Sequence, residues 1–498
     1  MSEDALLAQD EGELSSFGYK QELRRTLKVF SLFAFSFSNI SITTGIFTNY
    51  GFGITHFGTA MIWLWPVATV GMLILAFVLS ELASRIPLAG YSYQWGGRLF
   101  GGGFGWFIGF NILATFTLGA GGITLELIAP LVTTALGIND PSLGVLVLIS
   151  VIVLVLACAI CIVGVKFTAR INNASVVTEV LGTVVIGLVL LTAFLIHPTP
   201  HQGLNSLFNH GPLHGNPVWY AASLALLMGI FTIGGFEVSA DLGEEAIGVA
   251  KSVHKAIIGS VVVSGIFGML TLICFAIATP NLTTTAAQGS PVAYVVGYWM
   301  GSAFERIFLV VVIYSVFALM LVDVASMSRL VFSFSRDNMF PFSKFFAIVN
   351  PRTRTPIRAM LFTTTLFICV LVFAAYESNA FITLIAGTPV LAMLVYLTLT
   401  IAYAIRRNRI PSAQGGFELG RWAKVLIPLA VIWEIIALSA LTLPSVFRDA
   451  DWVALGVQGV CALWYITVLR WRLRKGTAGQ ALLMNRLPAA APAAPEPT

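Results

Sequence analysis

The feature that most constrains the fold is a series of twelve apolar runs. Their approximate ranges are 30–53, 60–84, 104–136, 142–164, 172–196, 217–242, 256–279, 304–334, 357–376, 380–405, 423–443 and 452–470. About 20 apolar residues are enough for a helix to cross the hydrocarbon core of a bilayer. Only 10% of the residues are charged, whereas soluble domains carry about 25%. The sequence therefore predicts an all-α polytopic membrane protein with twelve transmembrane helices.

The distribution of basic residues predicts the orientation of these helices. If residues 1–28 form a cytoplasmic tail, 26 of the 28 Lys and Arg residues lie on the cytoplasmic side, and Arg306 and Arg448 are the exceptions. This asymmetry follows the positive-inside rule. We expect both termini in the cytoplasm, a disordered C-terminal tail at 476–498, and a location in the plasma (inner) membrane. Because the basic residues are scattered over short segments, the net charge of +5 does not indicate nucleic-acid binding.

Two of the apolar runs are interrupted by hydroxyl residues and glycine, in segments 41–47 and 231–237. Such a break is costly in lipid, because every released backbone N–H and C=O must find a partner. Paired breaks in the two halves of a membrane protein indicate the substrate site of a transporter. The lag of 190 residues predicts a 5+5 inverted repeat, with one five-helix half at 29–200 and the other at 201–405. The two remaining helices, within 406–475, are expected to be peripheral.

Several motifs, in order along the chain, resemble those of the amino acid–polyamine–organocation (APC) permeases. They are Ser-Glu-Leu-Ala-Ser-Arg-Ile-Pro-Leu-Ala-Gly-Tyr-Ser-Tyr-Gln-Trp at 80–95, Gly-Phe-Glu at 235–237 followed by Glu-Glu at 244–245, Ser-Arg at 328–329, Ser-Arg-Asp-Asn-Met-Phe-Pro at 335–341, and Pro-Arg-Thr-Arg-Thr-Pro at 351–356. Thr-Thr-Gly-Ile-Phe at 43–47 most resembles the amino acid/choline transporter branch. The resemblance covers roughly 25–475. It implies the leucine-transporter fold and secondary transport of amino acids or amines.

By this resemblance, the first break would bind the carboxylate of the substrate. The backbone N–H groups around Thr43, Thr44, Gly45 and Ile46 would form the site, since the amides at a helix N-terminus carry partial positive charge. Gly45 has no Cβ, so the backbone there can approach a ligand closely. The alternative for this segment is a tight helix crossing through small residues.

The second break would complete the site around the substrate amine. By the same resemblance, carbonyl groups released at Ile233 and Gly234, next to Gly235, would accept hydrogen bonds from the amine. Phe231 matches the aromatic residue that covers the substrate in the family, and Phe236 is expected to line the same cavity. The alternative for each phenylalanine is ordinary packing.

Five of the acidic residues in the apolar runs are candidates for function, because a charge there is expensive and marks a functional site by default. They are Glu126, Glu179, Glu237, Asp323 and Glu434. We expect Glu179 to carry a coupling proton, with a hydrogen bond to a neighbouring helix as an equal alternative. Glu237 matches a family acid and is expected to act in gating or proton linkage. Asp323 and Ser326 are candidates for a coupling or sodium site, and Glu126 and Glu434 are assigned structural roles.

The sequence offers little for metal binding or catalysis. The Cys158-x-x-Cys161 pair lies within an apolar run, where packing is the better interpretation. Four histidines share the segment 197–214 at loose spacing, namely His197, His201, His210 and His214. No His, Cys and Asp group has ligand spacing, and no nucleophile elbow is present. We therefore predict no metal site, no cofactor and no enzymatic activity.

These patterns lead to the prediction of a permease that moves amino acids or related amines by alternating access, coupled to protons. The alternative is a carrier for choline, a polyamine, GABA or another organic cation, coupled to sodium or working as an exchanger. An amine carrier would need an acid in its cavity, and Glu179 and Glu237 are the candidates. The sequence leaves the substrate and the oligomeric state open.

Overall fold

The computed structural model describes residues 2–138, 140–196, 203–213, 215–376, 380–413 and 415–483, and this part of the chain is helical, without strands. Twelve helical segments, here called spans 1 to 12, are long and apolar enough to cross a membrane. They are Val29–Phe57, Thr59–Arg85, Gly102–Ala135, Leu143–Val163, Val165–Ile196, Val218–Glu245, Val249–Ala278, Ser302–Arg336, Ile357–Ala375, Thr383–Arg409, Gly420–Thr442 and Ser445–Arg474. The prediction of a twelve-span all-α membrane protein is confirmed.

The spans divide into central and peripheral helices by their burial. In the most apolar stretch of each span, the share of buried residues is 72% in span 1, 89% in span 3 and 78% in span 6. The corresponding share is 39% in span 11 and 17% in span 12. Apolar side chains on peripheral helices face outward because lipid is as apolar as the protein interior. Spans 1, 3 and 6, together with span 10 at 72%, therefore form the centre, and span 12 lies at the periphery.

Span 1 is interrupted at Ser41, the first residue of the segment 41–47 that the sequence predicts to be broken. Its first half is the helix Val29–Ile40 and its second half is the helix Ile42–Phe57. Ser41 has a positive φ of 39°, and its side chain caps the second helix by accepting a hydrogen bond from the amide of Thr44. Serine supplies that cap where glycine would not. Gly45 lies inside the second helix and not at the break.

Span 6 is interrupted at the glycine pair, as expected. The helix Leu227–Thr232 ends there, and Gly235 adopts a positive φ of 70° before a 3₁₀ helix, Phe236–Glu245. Ten residues are long for 3₁₀ geometry, which usually occurs in pieces of three or four residues.

The two broken spans pack against each other in opposite directions. The first half of span 1 contacts the second half of span 6, and the second half of span 1 contacts the first half of span 6. This antiparallel crossing places both breaks side by side at the centre of the bundle. It is the arrangement that an inverted repeat requires. The boundary between 29–200 and 201–405 lies outside the described residues, and the division into two repeats stays a prediction.

The two ends of the described chain pack onto one end of the bundle, here called the terminal face. A helix, Glu3–Ser16, precedes an extended segment in which the amide of Leu27 donates to the carbonyl of Glu245 at 2.9 Å. After span 12, the turn Gln480–Leu483 returns to this face. Leu482 is buried there. The tail expected to be disordered spans 476–498, and its described part, 476–483, packs against this face. Residues 484–498 lie outside the described chain.

Candidate functional site

A cavity lies where the two broken spans meet. The centre of a water-sized sphere can occupy about 70 Å³ of this cavity. Spans 1, 3, 6, 8 and 10 all contribute to its wall, and its polar side chains are Asn39, Thr44, Thr115, Asp323, Thr388 and Tyr396. A small polar molecule is the kind of ligand that fits this space.

The structure brings only part of the predicted binding set to this cavity. Thr44, Phe231, Gly234 and Gly235 line it, together with Asp323 from the predicted coupling set. The remaining predicted binding residues do not contribute to its lining, namely Thr43, Gly45, Ile46, Ile233 and Phe236. Helix rotation explains the division, because successive residues of a helix point about 100° apart and only some face the same space.

Gly45 serves the contact between the two broken spans. A Cβ at this position would overlap the side chain of Thr232 in span 6. Gly235 is also tightly placed, since a Cβ there would overlap the side-chain amide of Asn39. Both glycines therefore allow spans 1 and 6 to approach each other closely. A tight helix crossing through small residues was the alternative interpretation of the first break.

Glu179 of span 5 lies at the N-terminus of the second half of span 1. Its Oε1 accepts a hydrogen bond from the Thr43 amide at 3.0 Å, and the same oxygen lies 2.8 Å from the Thr43 hydroxyl and 3.3 Å from Ser41 Oγ. Thr43 Oγ1 is also 2.9 Å from Ser315 Oγ of span 8. A carboxylate suits the positive end of a helix. The Thr43 amide, expected to bind substrate, is thus bonded to Glu179.

Glu237 lies behind the cavity wall. Its Oε1 accepts hydrogen bonds from Tyr396 at 2.8 Å and from Tyr91 at 3.2 Å. The hydroxyl of Tyr396, in turn, accepts a hydrogen bond from the amide of Gly235 at 3.2 Å. Glu237 is fully buried and does not line the cavity. One tyrosine therefore connects this acid to the cavity and to the break in span 6.

Asp323 and Ser326 face different partners, although they are one helical turn apart on span 8. Asp323 lines the cavity. Ser326 donates a hydrogen bond to Asp241 Oδ2 at 2.6 Å. Of these two candidates for a coupling or sodium site, only Asp323 therefore faces the cavity. The Asp241 carboxylate also accepts a hydrogen bond from the amide of Gly90.

The other two acids named from the sequence lie outside this cavity. Glu126 is exposed on a π-helical turn of span 3, Thr124–Ile128. Glu434 is buried and accepts a hydrogen bond from Thr400 at 2.7 Å. Of the four loop histidines, only His210 falls within the described residues. Over the described part of the chain, no group of three or more His, Cys, Asp or Glu side chains is placed to bind a metal.

The terminal face carries a set of buried ion pairs that the sequence analysis did not assign. Arg329 pairs with Glu245 at 2.6 Å, and Arg336 pairs with Glu244 at 2.8 Å. Glu81 contacts both Arg85 at 2.9 Å and Arg407 at 2.7 Å. Except for Arg407, these residues stand in the motifs quoted above. The motifs mark these residues as important. Which of them pair with each other follows only from the fold, because the partners are far apart in the sequence.

Tyr19 attaches the N-terminal segment to this network. Its hydroxyl lies 2.8 Å from Asp337 Oδ2, which Tyr93 also contacts at 2.6 Å. The guanidinium of Arg336 lies over the Tyr19 ring, 3.7 Å from its centroid. Burial raises the pKa of the Asp337 carboxyl above its ordinary value, against the opposing effect of Arg336. Burial likewise raises the pKa of Tyr19.

Comparison with known proteins places this architecture in a family. Residues 27–466 match the family described as amino acid permease. The amino-acid permease BAT1 of Arabidopsis thaliana is 25% identical over 490 residues, which cover 92% of this chain and 94% of the relative. A GABA-specific permease of Saccharomyces cerevisiae is 25% identical, over 87% of this chain and 78% of the relative.

A bacterial relative matches this chain with a similar identity and coverage. The branched-chain amino acid permease BcaP of Lactococcus lactis is 25% identical over 84% of this chain and 90% of its own length. These matches confirm the APC resemblance, whereas the narrower amino acid/choline transporter branch stays a prediction. With twelve spans and a match over nearly its whole length, the chain belongs to the amino acid permease family of multi-pass membrane proteins.

Proposed function

We propose that this protein is a secondary active transporter that moves small amino acids or related amines across the plasma membrane by alternating access. The observation that carries the proposal is the central cavity, whose wall includes residues from both broken spans. Irregular backbone within a membrane is tolerated where it lines a cavity or is buried in protein. Relatives named as amino-acid, branched-chain amino acid and GABA permeases support a substrate of this size and class.

The terminal face supports alternating access with both termini in the cytoplasm. Buried ion pairs join the end of span 6 to span 8, and the end of span 2 to span 10. Inward opening would separate these pairs, and outward opening would leave them intact. A transporter needs two such conformations with different affinities for substrate and coupling ion. The excess of basic residues on this face supports its cytoplasmic location.

Glu179 is the proposed coupling group. Its carboxylate contacts span 1 through Ser41 and Thr43, and Thr43 also contacts Ser315 of span 8. Among the described residues, Glu179 has no ion-pair partner. Protonation would remove its charge from the helix N-terminus and weaken this attachment, which would bias one conformation over the other. Sodium is the second candidate, because these groups form a cluster of oxygen atoms at one site.

The test is uptake by the purified protein in proteoliposomes. Labelled alanine, leucine and GABA would be offered with an inward proton gradient, an inward sodium gradient, or neither, and a protonophore serves as the control. We expect accumulation of at least one compound under the proton gradient and its loss with the protonophore. Accumulation under sodium alone would assign the ion to sodium. No accumulation under any condition would contradict the transport proposal.

A further inference from the structure

Asp323 is the only charged side chain among the described residues that line the central cavity. It is 4% exposed, and its Oδ1 atom is buried without a hydrogen-bond partner. No ion pair of the described chain includes it. Burying a carboxylate is costly unless a cation or several hydrogen bonds compensate the charge.

Nearby groups do not supply that compensation. Arg329, farther along span 8, pairs with Glu245. Ser326 donates to Asp241 and not to Asp323. A cation that compensates the Asp323 carboxylate would have to enter through the cavity that this side chain lines.

The other acids do not compete for this role. Glu179 is bonded to the Thr43 amide and hydroxyl, and Glu237 is bonded to two tyrosines. Neither acid lines the cavity. The acid that the sequence analysis required in an amine-binding cavity is thus present, but it is Asp323 and neither of the two candidates named there.

The rest of the wall suits a positively charged group. Phe116, Phe231 and Tyr396 line the cavity, and the faces of aromatic rings attract cations. Asn39 adds a carbonyl oxygen, Oδ1, that is buried and without a partner. No Lys, Arg or His is present among the described lining residues to balance Asp323 or to attract an anion.

We propose that the carboxylate of Asp323 binds an ammonium group of the transported substrate. The inference rests on the proposed function and narrows it to small compounds that carry an ammonium group. The small volume of the cavity, about 70 Å³, favours molecules the size of alanine, GABA or putrescine. The ammonium group belongs either to the α-position of an amino acid or to the far end of an ω-amino acid or amine, and these two sources are separated below.

The test measures binding to the purified full-length protein in detergent by the ligand-dependent shift in its unfolding temperature. The probes are matched pairs, alanine with propionate and GABA with butyrate, in which only the ammonium group differs, and putrescine is added as a carboxylate-free amine. We expect at least one ammonium compound to stabilise the wild-type protein and its deaminated partner to have no effect. Alanine binding alone would assign the α-ammonium group, and binding of GABA or putrescine alone would assign the remote one.

The variants are Asp323→Asn, Asp323→Glu and, as the matched control, Glu434→Gln. The control also neutralises a buried membrane acid, but one that lies outside the cavity. Losing one partner of a buried charge pair should weaken binding by about thirtyfold or more in Asp323→Asn. Glu434→Gln should bind as the wild type does, and Asp323→Glu should keep part of the affinity. Elution as a single species in gel filtration would show that each variant is folded.

Three results would overturn the assignment. One is equal binding by Asp323→Asn and the wild type, another is equal binding of a compound and its deaminated partner, and the third is no binding of any ammonium compound to the wild type. Uptake measured in parallel separates this inference from the proposed function. Ammonium-dependent binding without uptake would contradict transport and leave Asp323 as the ligand. Uptake that is unchanged in Asp323→Asn would support transport and contradict Asp323 as the ligand.

Discussion

The carboxylate of Glu179 caps the second half of span 1 by accepting a hydrogen bond from the backbone amide of Thr43 at 3.0 Å. The two residues are 136 positions apart in the sequence. Through this bond, a side chain of span 5 occupies a helix N-terminus next to the central cavity. A negative charge stabilises the positive end of a helix, so the protonation state of Glu179 and the position of span 1 are physically linked.

Replacing Glu179 with Gln should remove the pH dependence of uptake. The amide keeps the shape of the side chain and can still accept from Thr43, but it cannot take up a proton. Accumulation under a proton gradient should therefore fall to the level seen without a gradient. Uptake across a pH series would measure this effect, with Glu434→Gln as the control. A pH profile like that of the wild type would assign Glu179 a structural role.

Replacing Gly45 with Ala should destabilise the protein and reduce uptake. The added Cβ would overlap the side chain of Thr232, and overpacking of this kind costs about 1–3 kcal/mol. Gly459→Ala is the matched control, because nothing lies within 4 Å of a Cβ there. Adding Thr232→Ala to Gly45→Ala should restore part of the loss. Thermal unfolding and uptake would measure both effects, and a neutral Gly45→Ala variant would refute the assigned close contact.

Replacing Glu81 with Ala should be strongly destabilising. The substitution leaves Arg85 and Arg407 together without their shared carboxylate, and removing one partner of a buried pair costs about 3–5 kcal/mol. The exposed pair of Lys28 and Glu3 provides the comparison. Glu3→Gln should change stability by less than about 1 kcal/mol. Equal unfolding temperatures for the two variants would be inconsistent with a structural role for the buried pairs.

Asp337 should contribute more to the free energy of unfolding at low pH than at high pH. Burial raises the pKa of Asp337, so the folded protein holds this proton more tightly than the unfolded chain does. The resulting stability is present below the ordinary pKa of aspartate and is lost as the pH rises through the raised value. The groups that face Asp337 are Tyr19, Tyr93, Gln94, Arg98 and Arg336.

The measurement for Asp337 is the unfolding temperature of the wild type minus that of Asp337→Asn across a pH series. The variant lacks the titrating carboxyl, so other groups cancel in the difference. We expect the difference to decrease as the pH rises. A difference that stays constant or increases with pH would contradict the raised pKa.

The sequence by itself determined the class of the fold. Twelve apolar runs predict twelve helices, because only a helix satisfies its own backbone groups in lipid. Hydroxyl and glycine residues within two of the runs predicted the two breaks and brought Thr44, Phe231, Gly234 and Gly235 into the candidate site. Each of these signals lies within a short stretch of sequence, so it can be detected without the tertiary structure.

Only the tertiary structure decided which side chains face one another. It placed Gly45 against Thr232 and Ser326 against Asp241. It also made Asp323 the one charged side chain among the described residues that line the cavity. Helix rotation turns each residue about 100° from the last, so a small change in register moves a side chain from one neighbour to another. Pairs such as Glu81 with Arg407 span 326 positions. Partners that far apart meet only through the packing of several helices, which no local pattern specifies.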